Sequence, residues 1–225
     1  MIKRGIFLFF ILMSCLAHLF GQEIVTAESY LNMVSENYST IRDYEAVITI
    51  RSGNADMSGN VSYLSPSFMR IDFSRPSGQV IVFNGDALII YLPEFRAVLN
   101  QNINRRPGAS GAGIASSQGL SLLKRNYVSS FVTGPNPEPL DTGERVVNLR
   151  LTRRSVAEGF REIILSINPD TKLIRRIVGR TISDSELRFD FTNIRLNVGI
   201  PEARFAYDLP PAANMYDNFL FRDSN

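Results

Sequence analysis

Residues 80–92 constrain the fold more than any other stretch of this 225-residue chain. Val80-Ile81-Val82-Phe83 and Ala87-Leu88-Ile89-Ile90-Tyr91-Leu92 are short apolar runs joined through Asn84-Gly85, a strong β-hairpin turn signal. Neither run alternates with polar residues, so both faces of the hairpin are apolar and both must be covered. A helix can cover one face. The other meets either a closed core or a cavity that holds an apolar ligand.

The flanking sequence is mostly strand. Residues 44–50 alternate, and after Ser52-Gly53-Asn54 so do Met57, Gly59, Val61 and Tyr63. Met69, Ile71 and Phe73 then share a face opposite Arg70 and Asp72, and residues 95–99 give a further short strand. Later strands are expected at 145–152, 160–167, 172–180 and 186–196, with Phe205, Tyr207 and Leu209 alternating before Pro210-Pro211. Two segments read as helical. Residues 24–44 place Ala27, Tyr30, Leu31, Val34, Tyr38 and Ile41 at spacings of three and four behind a Thr26 N-cap, and residues 117–124 form a short helix with Leu120, Leu122 and Leu123. About ten antiparallel strands with short turns imply a mainly β single domain: one highly curved antiparallel sheet, an incomplete barrel covered by the long N-terminal helix. The small residues of 107–113 break the β rhythm and suggest a flexible cover, since no Lys-Ser/Thr follows to make a phosphate loop.

The N-terminus reads as a signal peptide. Met1-Ile2-Lys3-Arg4 precedes an apolar run, residues 5–16, that falls short of the roughly 20 residues a membrane span needs. Cleavage near Gly21 would leave residues 22–225 as the folded domain. It would remove two of the 24 basic residues, none of the 22 acidic ones, and the only Cys and His, leaving a neutral chain. That composition excludes a Cys nucleophile, a Ser-His-Asp relay, a Cys/His zinc site and a disulfide scaffold. It also argues against nucleic acid, which needs clustered positive charge. A rival reading takes Leu12-Met13-Ser14-Cys15 as a lipobox, with Cys15 lipidated as a membrane anchor.

Asp141 with Glu144, and Asp184 with Glu186, are carboxylate pairs of the kind hydrolases use, but they lie in turns beside basic residues, where solvated acids are the ordinary finding. Positive charge is nearly all Arg, including Arg150, Arg153, Arg154, Arg161, Arg175, Arg176, Arg180, Arg188 and Arg195. These read as a solvated convex face or a docking surface for acidic membrane components.

Taken together, the chain resembles the LolA-type periplasmic lipoprotein carriers. The likeness rests on Leu64-Ser65-Pro66-Ser67-Phe68-Met69-Arg70-Ile71, Arg75-Pro76-Ser77-Gly78, the hairpin ending in Tyr91-Leu92-Pro93, and Phe191-Thr192-Asn193-Ile194-Arg195 followed by Phe205-Ala206-Tyr207-Asp208-Leu209-Pro210. It implies a half-barrel whose concave apolar side is covered by helices, with no catalytic residue, cofactor or metal. It also implies a periplasmic monomer whose partners are acylated lipoproteins, an inner-membrane releasing complex, and an outer-membrane acceptor or the membrane itself. Family members commonly carry Arg before the Pro of the Pro-x-Phe strand, where it latches the lid. Ser65 stands there in this chain, so Arg70 becomes the substitute latch candidate. Resemblance and strand alternation together assign the acyl-contacting surface to Met69, Ile71, Phe73, Val82, Leu88 and Ile90, with Leu120 and Leu123 under the lid. A membrane-anchored acceptor or a lipid-sensing module of the same fold are the alternatives.

Overall fold

Thr26 sets the start of the first helix, α1 (Ala27–Ser39): its backbone is extended and its hydroxyl accepts a hydrogen bond from the Ser29 amide at 3.0 Å. Glu28 in the first turn complements the positive helix end. The helix is shorter than its apolar periodicity predicts. Ser39 and Thr40 turn their hydroxyls onto the Glu36 and Asn37 carbonyls at its last turn, and the Arg42 amide bonds to the Asn197 side chain at 2.9 Å, which draws the chain into a sheet.

The computed structural model describes residues 25–102 and 115–218, and in them the strands form one open, curved sheet. Six strands run as an antiparallel meander: β1 (Asp43–Ser52), β2 (Ala55–Leu64), β3 (Phe68–Arg75), β4 (Val80–Asn84), β5 (Ala87–Leu92) and β6 (Ala97–Asn102). A second helix, α2 (Ser117–Asn126), precedes β7 (Tyr127–Phe131) and the two-residue β8 (Glu138–Pro139). A second meander then follows: β9 (Arg145–Arg153), β10 (Phe160–Ile167), β11 (Ile174–Thr181) and β12 (Glu186–Leu196). The meanders join where β12 pairs antiparallel with β1, and β13 (Asn214–Asp217) adds to β6 in parallel.

Local chemistry fixes the register. Gly85 takes φ +91 in the β4–β5 turn, and Asn84 Oδ1 accepts from the Asp86 and Ala87 amides. Gly59 is required by crowding, because a Cβ there would stand 2.3 Å from the Asp72 carbonyl oxygen. Strands β7, β8 and β13 were not foreseen from the sequence, and Phe95 belongs to a 3-10 turn (Pro93–Phe95) that precedes β6. Phe205 closes a second 3-10 turn (Glu202–Phe205) rather than joining a strand.

Each face of the sheet is covered in part, by different means. On the concave side α1 and α2 bury Leu31, Val34, Tyr38, Leu120 and Leu123 against β1–β3, β7 and β9–β12 in one apolar core. On the convex side the segment after β12 crosses β3 and β4 as a strap, seating Ile200 and Phe205 on Val82.

Candidate functional site

In an antiparallel sheet, directly paired residues point to the same face. Two rows therefore cross the concave side. One runs Ala46, Val61, Ile71, Ile81, Ile90 and Leu99; the other runs Tyr44, Tyr63, Met69, Phe83, Leu88 and Gln101. Their β1–β3 ends lie buried in the core, whereas Leu88, Ile90 and Leu99 are half-buried and stand outside it. The result is an apolar ledge on β5 and β6 that continues the core without being covered by α1 or α2.

Most of the residues expected at the acyl surface fall on this side. Met69 and Ile71 lie in the β3 part of the rows, Phe73 on the same face opposite Gly59, Leu88 and Ile90 on the ledge, and Leu120 and Leu123 on the buried face of α2. Val82 does not. It pairs with Arg70, points to the convex side, and is fully buried under Ile200 and Phe205, so it is excluded from a concave site. Residues 80–83 are all apolar, and without alternation they carry no face signal of their own. The register supplies it: Leu88 pairs with Phe83, so Phe83 and Ile81 share its face. These two, with Leu99, are the positions that reasoning from sequence missed.

Arg70 is likewise not a latch. On the convex side it forms an ion pair with Asp72 at 2.8 Å, and its guanidinium donates to the Ala206 and Arg204 carbonyls at 3.1 and 3.3 Å and lies 5.7 Å from the Tyr207 ring centre. Arg204 meets Asp72 from the strap. Burial pushes the Asp72 carboxyl up, but hydrogen bonds from Arg70 and Arg204 outweigh it and hold the group below the usual carboxylate range. Ser65 sits exposed in a turn, with its amide bonded to the Arg42 carbonyl at 2.7 Å.

Besides the buried Leu120 and Leu123, a tyrosine from the sheet ties down the start of α2. Tyr44 and Tyr63, ring centres 5.1 Å apart, rise from the concave face, and the Tyr44 hydroxyl donates to the Ala115 carbonyl, just before α2, at 3.0 Å. Burial drives the Tyr44 phenol well above its ordinary value, so it stays a donor. The Tyr63 phenol is also raised by burial, with the Ser117 and Ser65 hydroxyls pulling the other way. Ser116 then caps the helix by accepting from the Gly119 amide at 3.0 Å. Tyr44→Phe is expected to leave the Ala115 carbonyl buried without its donor, at a cost of about 1–3 kcal/mol. Amide hydrogen exchange across α2 should accelerate, while β9–β12 keeps its protection; unchanged exchange in α2 would show that the phenol does not hold it.

Under the helices the face is closed. The cavity bordered by Tyr38, Tyr44, Ala115 and Phe191 measures about 10 Å³, no more than one water needs. The larger hollow, about 430 Å³, is on the convex side between Glu45, Asn60, Ser62, Asn193, Arg195 and Arg204. Its walls mix Ala46, Val47 and Val61 with the charged Glu45, Arg195 and Arg204, which an acyl chain would strip of water, so the ledge rather than the larger hollow suits an apolar chain. The glycine-rich segment expected to cover the sheet lies outside the described residues, as do the leader and Cys15.

The carboxylate pairs are occupied by arginine. Asp141 meets Arg176 and Arg188, whose hydrogen bonds hold it down to about 2, Glu144 meets Arg175, Asp184 meets Arg161, and Glu186 meets Arg180. A carboxyl held that low is a poor proton donor near neutrality. Among the described residues, no three His, Cys, Asp or Glu side chains gather where they could hold a metal.

An open curved sheet with a helix-covered apolar side defines a cradle for apolar groups, and known proteins bear the class out. The family model described as outer membrane lipoprotein carrier protein LolA matches residues 49–208, and the chain belongs to that family. Among curated relatives, the outer-membrane lipoprotein carrier protein of Bordetella avium is 25% identical over 158 residues, covering 70% of each chain. That of Methylococcus capsulatus is 23% identical over 204 residues, covering 88% of this chain and 91% of its own. Of solved structures, an uncharacterized conserved protein from Thermus thermophilus aligns with a TM-score of 0.56 at 14% identity, over 85% of this chain and 98% of that one. The Mycobacterium tuberculosis lipoprotein LppX aligns at 0.51 and 12% identity, over 78% and 97%. The two structures share the fold. Lipoprotein binding is the role the family supports, and its carriers are not enzymes.

Proposed function

We propose that this protein carries acylated lipoproteins through the periplasm, from a releasing complex in the inner membrane to an acceptor at the outer membrane. The observation that carries this reading is the apolar row from Ala46 to Leu99, buried at one end and open on the β5–β6 ledge at the other. Leaving an acyl chain in water costs about 0.8 kcal/mol per methylene, so a lipoprotein crosses an aqueous compartment only with its chains sheltered. The ledge receives the chain, and α2, held at its start by the Tyr44 phenol, yields to extend the shelter inward. Because that hold is a hydrogen bond and a short helix rather than a second domain, the shelter can also open to release cargo. Leader removal after Gly21 places the carrier free in the periplasm.

The test adds the purified protein to spheroplasts making a triacylated lipoprotein, with the releasing machinery of the same source present. A soluble one-to-one complex in the medium is the expected result. A folded protein that releases nothing would move the function to a membrane-anchored acceptor or a sensor of the same fold.

A further inference from the structure

Seven of the nine arginines singled out in the C-terminal half have a carboxylate partner. Arg153 and Arg154 have none among the described residues. The Arg153 guanidinium donates only to the Val156 and Glu158 carbonyls of its own turn, at 3.5 Å each. These two arginines do not stand alone. The Arg154 amide bonds to the Asn126 carbonyl at 2.8 Å, and Arg153 pairs with Tyr127, which brings the end of α2, with Lys124 and Arg125, to the same rim. Four cations that have no carboxylate partner among the described residues thus lie on the elements meeting at a turn, residues 154–159, whose one acid is Glu158.

The tip of that turn is apolar. Val156 is 84% exposed, more than any other large apolar side chain among the described residues. The neighbouring turn between β11 and β12 presents Ile182, 67% exposed, and the Arg161–Asp184 ion pair ties that turn to the start of β10. Val156 stands among unpaired basic side chains, while beside Ile182 the acids Asp184 and Glu186 are matched by Arg161 and Arg180, so the two convex apolar tips share a rim with a net positive excess. They match a soft surface whose outer layer is anionic and whose next layer is apolar.

We propose that this rim docks on the surface of an anionic lipid bilayer, with Val156 and Ile182 entering the headgroup boundary and Lys124, Arg125, Arg153 and Arg154 facing lipid phosphates. The chain is neutral without its leader, so attraction comes from this local excess and acts within about 10 Å at moderate salt. The proposal is independent of the acyl ledge, which lies on β5 and β6.

Flotation of the purified protein with vesicles tests it. Binding to phosphatidylethanolamine vesicles containing phosphatidylglycerol, weakening as salt rises, and none to phosphatidylcholine vesicles, is expected. A basic side chain near such a surface contributes roughly fivefold in affinity, so the double variant Arg153→Gln with Arg154→Gln should bind about twenty-fold more weakly. Val156→Asp should weaken binding as well, and both variants should take up a fluorescent fatty acid like the parent. Equal binding to both vesicle types, undiminished binding by the double variant, or capture of polyglutamate in preference to vesicles would overturn the proposal.

Discussion

Ile90→Asp is expected to weaken acyl-chain binding about thirtyfold or more while strand content and melting temperature stay near those of the parent. Ile90 is half-buried on the ledge between Ile81 and Leu99, so a carboxylate there keeps its water and the fold tolerates it. A chain laid along the row would lose the isoleucine contact and strip that water, at about 2 kcal/mol or more, roughly thirtyfold in affinity. Displacement of a fluorescent fatty acid reads the loss. The neighbouring change Ile89→Asp supplies the contrast, because Ile89 faces the convex side and packs with the strap. It should lower stability, not affinity. Parental affinity in Ile90→Asp would remove the ledge from the site.

Phe205→Ala should produce the largest loss of stability. The ring is 1% exposed, lies 5.5 Å from Phe68 centre to centre, and anchors the strap over Val82. Emptying such a site costs about 3–5 kcal/mol, which in a chain of this size lowers the melting temperature by on the order of 10 °C. Acyl binding should persist below the transition, since the strap and the ledge lie on opposite faces. Acid should loosen the same strap. Asp72 titrates below its unfolded value, so its contribution is complete above the ordinary carboxylate pKa and fades as pH falls through the lower folded one. Asp72→Asn should therefore flatten the acid side of the stability profile. A profile parallel to the parent's would show that the Arg70–Asp72–Arg204 cluster contributes no pH-dependent stability.

The parts of this fold that alternate were readable in the sequence, and those that do not were not. Tyr44 to Ile50 and Met69 to Phe73 declare their faces because Glu45 and Thr49 in the first, and Arg70 and Asp72 in the second, mark the other side. The run Val80-Ile81-Val82-Phe83 is silent, since the strap makes the convex face of β4 as apolar as the concave one, and Val82 was drawn to the wrong side for that reason. Strap and β13 escaped notice together: Glu202–Phe205 is too short for a periodicity, and Asn214–Asp217 is exposed at every position. Arginine content was visible, but pairing is decided by registers far apart in sequence, as between Arg195 and Glu45. Only the structure separates Arg153 and Arg154 from the rest.

The seam between β1 and β12 has a consequence for how the chain acquires its shape. Each meander pairs neighbours in sequence and closes by short loops, but Ile48 meets Phe191 only after nearly the whole domain has been synthesised. Helix α1 is bound to the same schedule. Its Asn37 side chain bonds to the Thr171 carbonyl, and the Tyr38 hydroxyl accepts from the Ile174 amide, so the first element of the domain seats only after the second meander is built. The concave apolar side of β1–β3 therefore lies exposed from the moment it forms until the chain is almost complete, and the face that the finished fold covers best is the one its folding leaves open longest.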